Sequence, residues 1–144
     1  MRILFAGTPE IAVPTLCALA SHFEVGAVLT SVDKPGKRGK NLVPSPVKQA
    51  AAELGLPTFQ PEHLRGEERR VVASFGCDTL VCFAYGKLFG PKFLSLFPYA
   101  ALNIHPSLLP ALRGPSPIQN AILRMLPETG ITIQTLALEM DGGD

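Results

Sequence analysis

Ile3-Leu4-Phe5-Ala6-Gly7-Thr8-Pro9-Glu10 is an apolar run that stops at a glycine and passes directly into helix-start residues. The run has the length of a strand and no polar residue on either face, as expected for burial on both sides. Thr8 reads as an N-cap, Pro9 as the first helical residue and Glu10 as the acid of the first turn. A covered strand turning straight into a helix opens an α/β unit. Ala12, Leu16, Leu19 and Phe23 then recur as one helical stripe, with Pro14 setting where its regular part begins.

The rest of the chain repeats that alternation. Val25 to Thr30 is a second strand. Ser45 and Pro46 start a second helix with Val47, Ala50, Ala51 and Leu54 on one face and Gly55 closing it. Leu56 to Phe59 is a short strand, and Leu64, Val71, Val72 and Phe75 mark a third helix that begins after Gly66. Thr79 to Ala84 is a continuous apolar run, as a central parallel strand requires. Pro91 to Leu96 is a helix and Ala100 to His105 the fifth strand. Ile118, Ala121, Ile122 and Met125 form the stripe of one more helix. Ile131, Ile133 and Thr135 alternate with Thr132, Gln134 and Leu136, so the last strand has two unlike faces and belongs near an edge. The expected fold is α/β: a Rossmann-like open, mostly parallel sheet with helices on both faces and a late, antiparallel edge strand.

With 144 residues, 47% of them hydrophobic and 17% charged, the chain is one domain able to bury a real core. A net charge of +1 provides no global field to recruit nucleic acid, so any such binding needs a local patch. Cys17, Cys77 and Cys82 form no CxxC pair and have no His at metal spacing. Buried, reduced thiols are expected, with no metal site. No export signal and no membrane span is read, which points to the cytoplasm. Gly7-Thr8-Pro9 is not GxGxxG, and only Asp33 stands near the acidic position of a dinucleotide site, so that reading is weak. The same loop is either a plain tight turn or a phosphate cradle at a helix N-terminus.

Three further segments carry polar chemistry. Between Asp33 and Lys40, Lys34, Lys37, Arg38 and Lys40 are spaced by Gly and Pro. This loop is either a solvated surface or a grip on a polyphosphate backbone. Tyr85-Gly86-Lys87-Leu88 follows the central strand, at the carboxyl end where open α/β sheets place ligands; its residues either wall a pocket or are ordinary core and turn. Leu102-Asn103-Ile104-His105-Pro106-Ser107-Leu108-Leu109-Pro110 brings Asn103 and His105 to one face of a strand. Together they offer a neutral donor and a titratable one, suited to a developing oxyanion and a moving proton. The plainer alternative is a strand end whose Asn and His bond the adjacent loop.

Asn103 and His105, Ser107-Leu108-Leu109-Pro110, Arg113-Gly114, Pro117-Ile118-Gln119, Glu128-Thr129-Gly130 and Asp141-Gly142-Gly143 together resemble the folate-dependent formyltransferase family. Phe5 to Glu10 and Pro44 to Lys48 extend the resemblance to nearly the whole chain. Within the family the motifs are most similar to the enzymes that formylate methionyl-tRNA. Ala111 and Leu112 depart from the pattern of that branch, and Asn-Ile-His-Pro is closer to its glycinamide ribonucleotide branch.

The resemblance implies a formyltransferase fold and transfer of the formyl group of 10-formyltetrahydrofolate to the amino group of initiator methionyl-tRNA. It implies a catalytic trio of Asn103, His105 and Asp141, with Asp141 and not Asp144 matching the motif. Tyr85, Gly86 and Leu88, with Ser107, Leu108, Leu109 and Pro110, are then expected around the folate. Lys34, Lys37, Arg38 and Lys40 are expected on the tRNA. Residues 1–144 are expected to be the catalytic domain, truncated at its C-terminal end and without the family's tRNA-binding domain. A monomer is expected, with no metal and no membrane. The competing readings are the same transfer to a small acceptor, such as glycinamide ribonucleotide or an amino sugar nucleotide, and a noncatalytic phosphate- or nucleotide-binding domain.

Overall fold

The structure, a computed structural model, describes residues 1–36, 41–137 and 141–144. In chain order the elements are β1 (Arg2–Gly7), α1 (Val13–His22), β2 (Glu24–Leu29), β3 (Lys34–Pro35), β4 (Leu42–Val43), α2 (Pro46–Glu53) and β5 (Thr58–Phe59). They are followed by α3 (Gly66–Ser74), β6 (Thr79–Phe83), α4 (Pro91–Leu94), β7 (Ala100–His105), α5 (Pro117–Leu123) and β8 (Thr132–Thr135). Six strands form one sheet in the order β5-β2-β1-β6-β7-β8. Neighbours are parallel except β7 and β8, which are antiparallel. The expected architecture is present, including the late antiparallel strand at the edge. β3 and β4 make a separate two-stranded ribbon.

Alternation along β1 explains why its run is unbroken. Ile3 and Phe5 point into one core with Leu16 of α1 and Val47 of α2. Leu4 and Ala6 point into the other, with Val72 of α3 and Phe93 of α4. Each face of the sheet is therefore covered by helices, and a strand inside it has no place for a polar side chain. The chain builds β2 and β5 on one side of β1 and then returns to place β6 on the other. This reversal makes the carboxyl ends of β1 and β6 the topological switch point, where such sheets open a crevice.

Local details depart from expectation at several places. Thr8 caps no helix: residues Glu10–Ala12 form a 3-10 turn behind Pro9, and α1 follows with Pro14 in its first turn. The Thr8 hydroxyl instead lies 3.0 Å from Ser31 Oγ and donates to the Tyr85 carbonyl at 3.2 Å, tying together the ends of β1, β2 and β6. Cys17 is exposed, against the expectation of a buried thiol, because it follows Leu16 by one position and so leaves the buried stripe of α1, while Cys77 and Cys82 are buried as expected. Along α5, Ala121 is buried, but Ile122 and Met125 are 71% and 87% exposed. A helical period aligns side chains on one face without supplying anything for that face to pack against. Among the described residues no helix is long and apolar enough to cross a membrane.

Ser45 does cap α2, its hydroxyl accepting from the Lys48 amide at 3.0 Å. Ser45→Ala is expected to lower stability by about 1 kcal/mol, read as an earlier urea midpoint with an unchanged slope; an unchanged midpoint would mean that Pro46 alone starts the helix.

Candidate active site

β7 lies between β6 and the edge strand β8, and its carboxyl end carries Asn103 and His105. The two side chains share a face because they are two residues apart on a strand. Asp141 reaches the same place from the turn beyond β8, held at a φ of +51°. Its Oδ1 lies 3.5 Å from Asn103 Nδ2 and 3.5 Å from His105 Nδ1. The side chains of His105 and Asp141 are 7% and 9% exposed, so solvent screens their mutual field only weakly. The other ring nitrogen, His105 Nε2, faces the Leu112 carbonyl at 3.0 Å. Both neighbours of the ring are acceptors, so whichever nitrogen carries a hydrogen has a partner. The structure thus brings the three predicted residues together, whereas Asp144 pairs with β8 through its backbone, its carbonyl accepting from the Thr135 amide at 2.8 Å.

Two groups that hold Asp141 were missed in the sequence. Gln134 Nε2 donates to its Oδ1 at 3.1 Å, and the Gly114 amide donates to its Oδ2 at 2.8 Å. Gln134 stands opposite Asn103 in the antiparallel register. The only hint of it was a polar residue on the face of the last strand away from Ile131 and Ile133; naming its partner needs the register.

The trio lies in the wall of a cavity of about 730 Å³ at the switch point. Loops after β1, β6 and β7 share its rim, and residues 114–119 and 141–143 complete it. Tyr85, Gly86 and Leu88 are all in this wall. Tyr85 is buried with its ring stacked on Phe89, centroids 5.6 Å apart. Gly86 sits at a φ of +86°, a conformation that favours glycine, and Leu88 is exposed. The Lys87 ammonium donates to the carbonyls of Pro61 and Glu62, anchoring the loop.

Ser107, Leu108, Leu109 and Pro110 do not line this cavity. Ser107 is fully buried and donates to the Ala111 carbonyl at 2.7 Å. The Thr132 hydroxyl donates to the Ser107 carbonyl at 2.7 Å and accepts from the Leu109 amide at 3.1 Å. Leu108 rests against Gly130, where an added Cβ would come within 2.6 Å of its Cδ2. The Ser107 carbonyl and the Leu109 amide are thus fastened to the start of β8 through Thr132.

Of the basic residues, Lys34 is exposed on β3, while Lys37, Arg38 and Lys40 lie outside the described residues. Asp33, the residue nearest to a dinucleotide acid, is occupied: Lys48 Nζ sits 2.6 Å from its Oδ2 and Gln60 Nε2 donates to Oδ1 at 2.7 Å. These partners, Lys48 first, hold its carboxyl below the usual range. Burial pushes the Cys82 thiol in the cavity wall up to about 12, so it is a poor nucleophile. Among the described residues no three of His, Cys, Asp and Glu come together as metal ligands.

Comparison with known proteins decides the family: the sequence profile described as formyl transferase matches residues 1–144. The chain belongs to the formyl transferase family. This formyl transferase chain is 46% identical over 151 residues to the methionyl-tRNA formyltransferase of Treponema denticola, covering 99% of itself and 47% of that protein. It is 49% identical over 145 residues to the methionyl-tRNA formyltransferase of Methylococcus capsulatus, again covering 99% and 47%. It therefore spans about half the length of the curated relatives it matches. Its fold is that of the crystal structure of glycinamide ribonucleotide transformylase 1 from Symbiobacterium toebii, with a TM-score of 0.76 at 20% identity, covering 99% of this chain and 69% of that one.

Proposed function

We propose that this chain carries the site that transfers the formyl group of 10-formyltetrahydrofolate to the amino group of initiator methionyl-tRNA, in the cytoplasm and without a metal. The observation that carries the reading is the convergence of Asn103, His105 and Asp141 on one wall of the switch-point cavity. The names of relatives 43–49% identical over the chain favour this acceptor over a small one. The residues fit a folate. The cavity has the size and mixed lining of a site for a flat, drug-sized molecule, and the turn from Tyr85 to Phe89 supplies a largely apolar wall in which Gly86 permits close backbone approach.

In the transfer, an amine adds to the formyl carbon, negative charge gathers on the formyl oxygen, and a proton must leave the attacking nitrogen before the folate nitrogen departs. Asn103 Nδ2 and His105 Nε2 are the donors for that oxygen. To reach it, His105 gives up the Leu112 carbonyl, which belongs to a turn where Leu112 sits at a φ of +58°. Such a conformation is costly for leucine, so releasing it opposes the loss of the hydrogen bond. Asp141 keeps the imidazole oriented and balances its charge as the proton passes. Lys34, with Lys37, Arg38 and Lys40, is assigned to the tRNA backbone, where cations confer affinity without sequence information.

The test is a formylation assay with 10-formyltetrahydrofolate and either methionyl-tRNA or glycinamide ribonucleotide, run from low to high salt. Formylated methionyl-tRNA is expected, with acceptor affinity falling steeply as salt rises. Transfer to the small nucleotide alone, with little salt response, would assign the site to the second acceptor. No transfer to either, despite saturable folate binding, would sink the proposal for residues 1–144.

A further inference from the structure

Gln134 is 3% exposed, at the centre of β8. Its Nε2 meets Asp141, but its Oε1 is buried with no hydrogen-bond partner among the described residues. An amide oxygen left in that state is destabilising, and an apolar side chain of similar length would avoid the penalty. The donor half of the side chain is what distinguishes glutamine here, and its target is Asp141.

Asp141 Oδ1 is oversubscribed. Gln134 Nε2 approaches it at 3.1 Å, while Asn103 Nδ2 and His105 Nδ1 both stand at 3.5 Å. One carboxylate oxygen has lone pairs for about two hydrogen bonds. Gln134 holds the shortest of the three, and the Gly114 amide fixes the other oxygen at 2.8 Å. The carboxylate is thus clamped by two groups outside the trio, and Asn103 Nδ2 and His105 Nδ1 are both kept at the outer limit of hydrogen bonding to it.

We propose that Gln134 is a positioning residue: it holds Asp141 back from Asn103 Nδ2 and His105 Nδ1, so that the Asn103 amide stays available to the reacting carbonyl and the imidazole keeps the orientation that presents Nε2. This rests on the formyl-transfer reading of the site and adds a determinant of its rate. The titratable groups lining the cavity among the described residues are Glu10, Cys82, Tyr85, Lys87, His105 and Asp141. Of these, His105 and Asp141 are in direct contact across the trio.

Gln134→Met keeps the length and removes the donor. Asp141 then closes on His105, and the Nδ1 proton resonance of that ring moves downfield as the hydrogen bond shortens. In turnover, kcat falls about tenfold while KM for the formyl donor stays within about twofold, the pattern of a lost transition-state interaction. Gln134→Glu is the second arm. Only its protonated form donates, so its activity relative to the parent rises as pH falls. An unmoved His105 resonance in a folded Gln134→Met chain, or a Gln134→Glu activity ratio independent of pH, overturns the proposal. The NMR measurement needs no substrate. A shifted resonance in a chain that transfers no formyl group sinks the functional reading and leaves the role of Gln134 standing.

Discussion

His105→Ala is expected to slow formyl transfer by about 10²–10³-fold, the usual cost of removing one oxyanion donor from a preorganised site. In the proposed transfer the ring has two tasks: its Nε2 donates to the oxyanion, and its Nδ1 is the group that Asp141 faces at 3.5 Å. Single-turnover formylation at saturating folate is the measurement, because it isolates the chemical step from product release. Folate affinity is expected to change little, since the turn from Tyr85 to Phe89 is untouched. Asn103→Ala is expected to fall in the same range. The double variant His105→Ala with Asp141→Ala is expected to be little worse than His105→Ala alone, because residues that act as a unit lose their effect together. A His105→Ala chain within about threefold of the parent, below the cost of one oxyanion donor, would remove His105 from the reaction and the proposed mechanism with it.

Phe5→Ala is expected to lower the unfolding free energy by about 3–5 kcal/mol. Phe5 is fully buried in the middle of β1, packed among Leu16, Val28, Val47 and Phe83. It sits where two helices and two neighbouring strands meet, so no single element can move in to fill the cavity. Domains of this kind have a total stability of about 5–15 kcal/mol, so one ring carries a large share. Equilibrium urea unfolding reads the change as a shifted midpoint with the same slope. The same truncation at exposed Phe23, at the end of α1, is expected to cost under about 1 kcal/mol, in keeping with surface substitutions. A Phe5→Ala cost as small as that would mean that the core on the α1 and α2 face collapses around the gap.

Both expectations begin from residues that were readable in the chain. The run Ile3 to Ala6 announced a two-sided strand because no polar residue interrupts it, and the structure buries both of its faces. Asn103 and His105 were readable because a strand has a fixed period of two. Asp141 was different. As a lone Asp before glycines it had an ordinary turn role, and only the family resemblance singled it out; folding then brought it across β8 to the trio. The turn Ser107 to Pro110 was readable as a motif, but its fastening to Thr132, twenty-odd residues later in the chain, was not. Ile122 and Met125 show the limit of periodicity, which states that a face exists and is silent on what meets it.

Residue order alone was enough for the main strands and helices, the two-sided sheet and the Asn103–His105 pair. These follow from local rules: side-chain period, capping chemistry and runs of apolar residues act over a few positions. Folding was needed to select Gln134 and Gly114 as the clamps on Asp141, to turn Thr8 toward Ser31 and Tyr85, and to fasten the Ser107 turn to Thr132. Each of these is a hydrogen bond or contact between residues distant in the chain. Which donor finds which acceptor there depends on strand register and loop path, quantities that no local pattern contains.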